Sequence, residues 1–107
     1  MEKIFSNKMK EPIKVYRSRN GVHKFMAVFP EGKTVRFGRK GYSDYTIHKD
    51  AERMKRYLTR HRSRESWGRA GRYSAGFWSR WLLWSKPSLE GARKETQRVL
   101  GQKVKII

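Results

Sequence analysis

Positive charge runs through the whole of this sequence, and it limits what any one stretch can bury. The chain carries 27 Lys and Arg against 9 Asp and Glu, a formal net charge of +18 over 107 residues. A charged side chain is costly to desolvate unless it is paired, and there are too few carboxylates to pair most of the cations. The basic side chains must therefore line the surface, and a core has to be assembled from what lies between them. Self-repulsion at this density opposes compaction, so a polyanionic partner is the simplest compensation.

The residues between the cations suffice for a small core. Phe, Trp and Tyr make up 13% of the chain and hydrophobic residues 36%, which separates it from basic disordered tails, where aromatics are scarce. The length suits one domain. There is no cysteine, which excludes disulfides and thiolate-based metal sites. The longest compact apolar stretch, 77–84, is interrupted by Arg80 and falls well short of the roughly 20 residues of a membrane span. The N-terminus lacks the apolar core of a signal peptide, so an intracellular or intravirion location is expected.

The local pattern divides the chain into a flexible N-terminal arm over 1–12, a single basic α+β domain over 13–100, and a C-terminal tail or edge strand over 101–107. Ile13 and Val15 alternate with Lys14 and Tyr16, as in a strand. A turn signal at 18–21 precedes a second strand over 24–29, and Pro30-Glu31-Gly32 precedes a third over 33–37. The expected fold is a three-stranded antiparallel sheet packed by an amphipathic helix and followed by two shorter C-terminal helices. The amphipathic helix is expected over 49–64, with Ser43, Thr46 or Asp50 as its cap. Its apolar side is Ala51, Met54, Leu58 and His61, with Tyr57 alongside. The 65–76 stretch reads as a loop, 77–84 as a short helix, and 89–100 as a last helix capped by Ser88 and stopped by Gly101.

Every segment is positive: 8–40 by +8, 49–72 by +6 and 73–107 by +5. Such a footprint points to nucleic acid. The candidate contacts in the strand region are Lys14, Tyr16, Arg17, Arg19, Lys33, Arg36, Arg39 and Lys40. Lys49, Arg53, Arg56, Arg60 and Arg64 form a stripe along one side of the expected helix, and Arg69 and Arg72 follow in the loop. Arginine binds phosphate bidentately. Without a base-reading motif, the contacts predicted are to the backbone, independent of sequence and steeply salt-dependent.

Catalytic patterns are weak. His23, His48 and His61 match no helical metal pair. Asp44, Asp50 and Glu52 lie close enough to suggest a metal-dependent nuclease site, but helix capping accounts for Asp50 and Asp44 with less machinery. Ser43 and Ser74 lack a visible base, and Gly38-Arg39-Lys40-Gly41 is not a phosphate loop. No enzyme activity and no metal or cofactor is therefore expected. Trp78, Trp81 and Trp84 suit either stacking on unpaired bases or a core. Burial is the reading adopted for Phe77, Trp78 and Trp81, because a chain this short needs their area.

Two blocks carry a resemblance. Residues 40–50, Lys-Gly-Tyr-Ser-Asp-Tyr-Thr-Ile-His-Lys-Asp, and 75–87, Ala-Gly-Phe-Trp-Ser-Arg-Trp-Leu-Leu-Trp-Ser-Lys-Pro, together with the stretch through Arg56-Tyr57 to Arg60-His61-Arg62, resemble short basic proteins of large nucleocytoplasmic DNA viruses. The resemblance runs over about 13–100. It implies a viral origin and a place in the virion core or the cytoplasmic viral factory, and carries over no catalytic residue. The order of three strands and a helix is also similar to the small domains of plant ethylene-response factors and phage integrase arms, which lay a sheet in the DNA major groove. That analogy of fold would put Lys14, Tyr16 and Arg36 near DNA. Together these features lead to a protein that coats or condenses viral genomic double-stranded DNA, with self-association as a route to bridging. The alternatives are an RNA binder and a structural capsid or core protein whose charge meets acidic partners or membrane.

Overall fold

The computed structural model describes residues 11–107. The expected N-terminal arm therefore falls, except for Glu11 and Pro12, outside the described residues. Strands β1 (Ile13–Arg17), β2 (His23–Val28) and β3 (Thr34–Arg39) follow one another, and β4 (Val104–Ile106) closes the chain. The sheet order is β3-β2-β1-β4. The first three strands form the antiparallel meander read from the sequence, but β4 pairs parallel to β1, in the register Ile13↔Val104 and Val15↔Ile106. The sheet is thus four-stranded and mixed, and the last residues form an edge strand. Two polar side chains dock it. The Gln97 side-chain oxygen accepts from Val104 N–H at 2.9 Å, and Arg93 Nη1 donates to the Val104 carbonyl at 3.1 Å.

The alternation of each strand gives the sheet one apolar face. Ile13, Val15, Phe25, Ala27, Val35, Phe37 and Val104 are all buried on it. The layer that covers them differs from expectation. It consists of α3 (Ala75–Trp78), a π turn (Ser79–Leu83) and α4 (Leu89–Leu100), which bury Phe77, Trp78, Leu82, Leu83, Ala92, Thr96 and Leu100. Phe37 stacks on Trp78 with ring centroids 5.6 Å apart, and Phe29 meets the same indole edge-on at 5.8 Å. The π turn has a visible cause. The buried pairs 77/78 and 82/83 repeat at an interval of five residues, which at 3.6 residues per turn would place them about 140° apart on an α-helix. A wider turn returns both pairs to the sheet, so core packing selects the rarer winding.

The amphipathic helix does not pack on the sheet. The helix expected over 49–64 is shorter, α2 (Ala51–His61), and a separate helical turn, α1 (Tyr45–His48), precedes it, with Lys49 between them in the left-handed conformation at φ 58°. Asp44 caps α1 and Asp50 caps α2, the latter accepting from Glu52 and Arg53 N–H. In α2 only Tyr57 is buried, while Ala51 is exposed and Met54, Leu58 and His61 are half-buried. The helix meets the core through aromatic stacking. Tyr57 lies flat on Trp84 (4.3 Å, 1°) and His61 stacks on Tyr57's ring at 4.3 Å. Trp84, itself packed against the core, therefore serves as the platform that joins α2 to it.

The remaining helical segments follow the sequence more closely. A 3-10 turn (Arg69–Gly71) interrupts the expected loop, and α3 begins two residues earlier than expected, at Ala75. The last helix has the expected bounds, with Ser88 accepting from Gly91 N–H and Gly101 at φ 65°. At 12 residues it is not shorter than α2, with 11. Arg80, the cation inside the apolar stretch, is held by indoles. Its guanidinium sits 4.2 Å from the Trp81 centroid and 5.3 Å from that of Trp67, an arrangement in which ring quadrupoles offset part of the lost hydration. Trp78 and Trp81 donate their indole N–H groups to the Arg72 and Trp67 carbonyls, at 2.8 and 2.7 Å.

Candidate nucleic-acid interface

No strand of the sheet contains an acidic residue. On the face turned away from the helices the strands therefore contribute cations and no carboxylate, and Glu11, just before β1, lies at its edge beside Lys14 and Tyr16. The register sets Lys14 beside Lys105 on one side and Val28 on the other, and places Tyr16, Met26 and Arg36 in one row. Lys14, Arg36 and Lys105 are exposed, while Tyr16, Met26 and Val28 are half-buried. The result is a short apolar strip framed by charge. Beside it opens a depression of about 700 Å³ lined by Tyr16, Arg17, Arg19, Met26 and Arg36. Like charges at neighbouring cross-strand positions are destabilising, and none of these cations makes an ion pair among the described residues. Lys105 is an addition to the residues expected here. The alternation of Lys103 and Lys105 with Val104 and Ile106 is the sequence signal that points to it.

The second surface is α2. Arg53, Arg56, Arg60 and Arg64 are all exposed, as the stripe required. Lys49 is set apart from them, because its ammonium donates to the carbonyls of Thr46 and Pro87 and braces the α1–α2 junction against the chain before α4. The only acidic residue of α2, Glu52, pairs with Lys55 at 3.7 Å. Arg64 Nη2 donates to the Arg60 carbonyl at 3.2 Å, which holds it along the helix end. The neighbouring Arg62, also exposed, extends the basic surface past the last turn.

The other candidates divide by what they touch. Arg69 Nε donates to the Leu100 carbonyl at 2.9 Å, so it ties the loop to the end of α4. Arg72 donates to the Arg69 carbonyl and lies 4.7 Å from the Tyr73 centroid, a ring that Lys33 approaches to 5.6 Å. These side chains organise the loop between α2 and α3. Arg17 lies over Phe25 at 5.4 Å and Arg39 over Tyr42 at 5.4 Å, and both are exposed, as are Arg19 and Lys40.

A cleft of about 660 Å³ is walled by the end of β3, by α2 and by α3. Its acidic groups are already committed. Asp44 is buried and accepts from Lys24 Nζ at 2.6 Å, from Thr46 N–H at 3.0 Å and from the Thr46 hydroxyl. Glu65 accepts from Trp67 Nε1 at 3.2 Å and lies 3.6 Å from His61 Nδ1. Asp44 and Asp50 thus serve as caps and Asp44 also as an ion-pair partner. Among the described residues no group of three or more His, Asp or Glu is placed to hold a metal ion, and no helix is long and apolar enough to cross a membrane.

Residues 13–61, from β1 to the end of α2, are similar to a family of unknown function (DUF5754). The matched segment holds the sheet meander and the α2 stripe up to Arg60, and stops before the layer that covers the sheet. No curated protein matches the chain, and no solved structure does.

Proposed function

We propose that this protein binds nucleic acid through its phosphates, without reading sequence, and that it coats or compacts viral genomic double-stranded DNA. The observation that carries the reading is the sheet's open face. It has no carboxylate in any strand, and Lys14 and Lys105 stand side by side where mutual repulsion is the expected result. A polyanion laid across that face removes the repulsion and releases counterions from the nucleic acid. The α2 stripe supplies a second basic surface on a different element. Two such surfaces on one folded unit allow one molecule to touch two duplex segments, which is what compaction requires beyond coating. The assignment to a virion core or viral factory rests on the resemblance of the 40–50 and 75–87 blocks.

Binding to duplexes of several sequences, measured by anisotropy from about 0.05 to 0.2 M salt, tests this. Affinities within a few-fold of one another and a steep salt slope are expected. A hundredfold preference for one sequence would overturn sequence independence, and no duplex binding near 0.15 M salt would remove DNA as the partner. Parallel titrations with RNA and with anionic vesicles identify the alternatives: tighter binding to RNA would make it the ligand, and binding to vesicles alone would point to a structural role at a membrane. Arg36→Glu and Arg56→Glu, tested separately, assign the binding surface. Removing a cation that neutralises one phosphate lowers the slope by about 0.9, so the variant whose slope is unchanged lies off that surface.

A further inference from the structure

Three hydroxyl side chains among the described residues have an arginine three positions before them: Thr59 after Arg56, Ser63 after Arg60 and Thr96 after Arg93. Protein kinases with an acidic peptide groove select substrates by such a charge pattern, and a guanidinium suits it because it pairs bidentately with carboxylate. The fold separates the three. Thr96 is fully buried and its hydroxyl donates to the Ala92 carbonyl at 2.7 Å, while Arg93 is paired with Glu90 at 2.7 Å. Thr59 lies inside α2, and its hydroxyl donates to the Lys55 carbonyl at 3.0 Å. Ser63 is exposed in the turn that follows α2, and its hydroxyl makes no hydrogen bond among the described residues. Arg62 and Arg64 flank it, and both are exposed, as is Arg60.

A kinase groove takes its substrate extended, so an acceptor has to come free of regular structure. At Ser63 little stands in the way. The turn is closed by Arg64 N–H donating to the His61 carbonyl at 3.0 Å and by the contact of His61 with Glu65 at 3.6 Å, and a helix end frays at little cost. We propose that Ser63 is a phosphorylation site for an arginine-directed protein kinase, and that its phosphate switches off the basic surface of α2. In the transfer, the bond from the γ-phosphorus of ATP to its bridging oxygen breaks, and a bond from that phosphorus to Ser63 Oγ forms. The hydroxyl proton passes to the kinase's catalytic aspartate and ADP leaves. The product carries a charge of about −1.5 to −2 at neutral pH, set between Arg62 and Arg64 and three residues from Arg60. Charge-assisted hydrogen bonds to these guanidiniums compete with the phosphates of a nucleic acid. The modification itself is independent of the nucleic-acid reading above; its effect on binding rests on that reading.

The test treats the full chain with ATP, magnesium and the catalytic subunit of cyclic-AMP-dependent protein kinase, an arginine-directed enzyme, and maps the product by mass spectrometry. Ser63 is expected to be phosphorylated, with Thr59 and Thr96 unmodified. Arg60→Ala is expected to slow the reaction at Ser63 about tenfold or more, as loss of one partner of a charge pair does. An unmodified Ser63 would overturn the site, as would an undiminished rate in Arg60→Ala. Near 0.15 M salt the phosphorylated protein is expected to bind duplex DNA about tenfold more weakly than the untreated protein, with a salt slope lower by about 2, because about two phosphate contacts are lost. Ser63→Ala carried through the same treatment isolates the effect of this serine and should retain its affinity. Phosphorylation of Ser63 with unchanged duplex affinity would overturn the switch and leave the site standing. Failure of the untreated protein to bind duplex would overturn the nucleic-acid reading and the switch with it, while the mass spectrum still decides the site.

Discussion

Asp44 shows how much one carboxylate does in a chain so poor in them. Its side chain is buried against Lys24, whose own side chain is only 14% exposed, and it also caps α1. Asp44→Ala would leave the Lys24 ammonium without a partner. Breaking a buried pair from one side costs about 3–5 kcal/mol, and the residual access of Lys24 to water places this case near 3. Urea unfolding should show that loss. Asp44→Asn keeps the cap to Thr46 and should differ from Ala by about 1 kcal/mol. His48 is the second informative residue. Its Nδ1 accepts from Asp50 N–H at 2.9 Å and its Nε2 is buried without a partner, so the neutral ring is the form that fits. Burial, and then the positive charge of Arg53, hold its pKa below the ordinary 6.5, against the opposing pull of Asp50 and Asp44. A histidine with a depressed pKa binds more protons unfolded than folded, so its contribution is present above pH 6.5 and is lost as pH falls below that value. The melting temperature should therefore drop as pH falls below 6.5, and that of His48→Asn, which keeps an acceptor for Asp50 N–H, should drop less. An identical pH response in the two proteins would refute the assignment.

At the scale of elements, α2 and α4 obey different rules. α4 is a conventional core helix, with a side-chain cap and a left-handed glycine stop. Ser88→Ala removes the acceptor for Gly91 N–H at 3.0 Å and should cost about 1 kcal/mol, read from the denaturant midpoint. α2 is held to the core mainly by the Tyr57–Trp84 stack, with Lys49 bracing the junction before it. Trp84→Leu removes the platform beneath Tyr57 and should loosen α2 while the sheet stays formed. Amide exchange is the suitable measurement: faster exchange confined to α1 and α2 is expected, with β1–β3 unchanged. Uniform acceleration across the chain would show instead that Trp84 supports the core. Charge at α2 has little to do with folding, since its exposed arginines pair with no carboxylate among the described residues. Arg53→Ala and Arg56→Ala should leave stability within about 0.5 kcal/mol while reducing the salt slope for duplex binding.

At the scale of the whole molecule, the net charge of +18 couples stability to the ionic environment. Self-repulsion weakens the folded state at low salt, and a ligand that binds only the folded form stabilises it by mass action. Adding duplex DNA at low salt should raise the melting temperature, and the same DNA at about 1 M salt, where the screening length is about 3 Å, should have little effect. The closing strand adds a second dependence. β4 brings Val104, 2% exposed, over the apolar face and pairs with β1. Deleting residues 102–107 should cost about 2 kcal/mol from that side chain alone, and should also remove Lys105 from the basic face.

The strands were legible in the sequence because period-two alternation is a local signal. So were the Asp50 and Ser88 caps and the Gly101 stop, where a side chain or a glycine satisfies its own backbone neighbourhood. The exposure of the arginine stripe followed from the scarcity of partners for it. The sequence by itself therefore determined the meander, the last helix and a surface rich in unpaired cations. Which helix covers the sheet was decided by tertiary packing. The 51–61 segment is amphipathic, but Phe77, Trp78, Leu82 and Leu83 bring more apolar area, and the five-residue repeat that suits them falls outside the ordinary helical period. The parallel pairing of β4 depends on Gln97 and Arg93 reaching it from α4, and the placement of Lys105 beside Lys14 depends in turn on that pairing. The cleft joins residues from 22 to 84, and no local pattern encodes such a meeting. Each of these outcomes is a competition between segments distant in the chain, which only their packing against one another resolves.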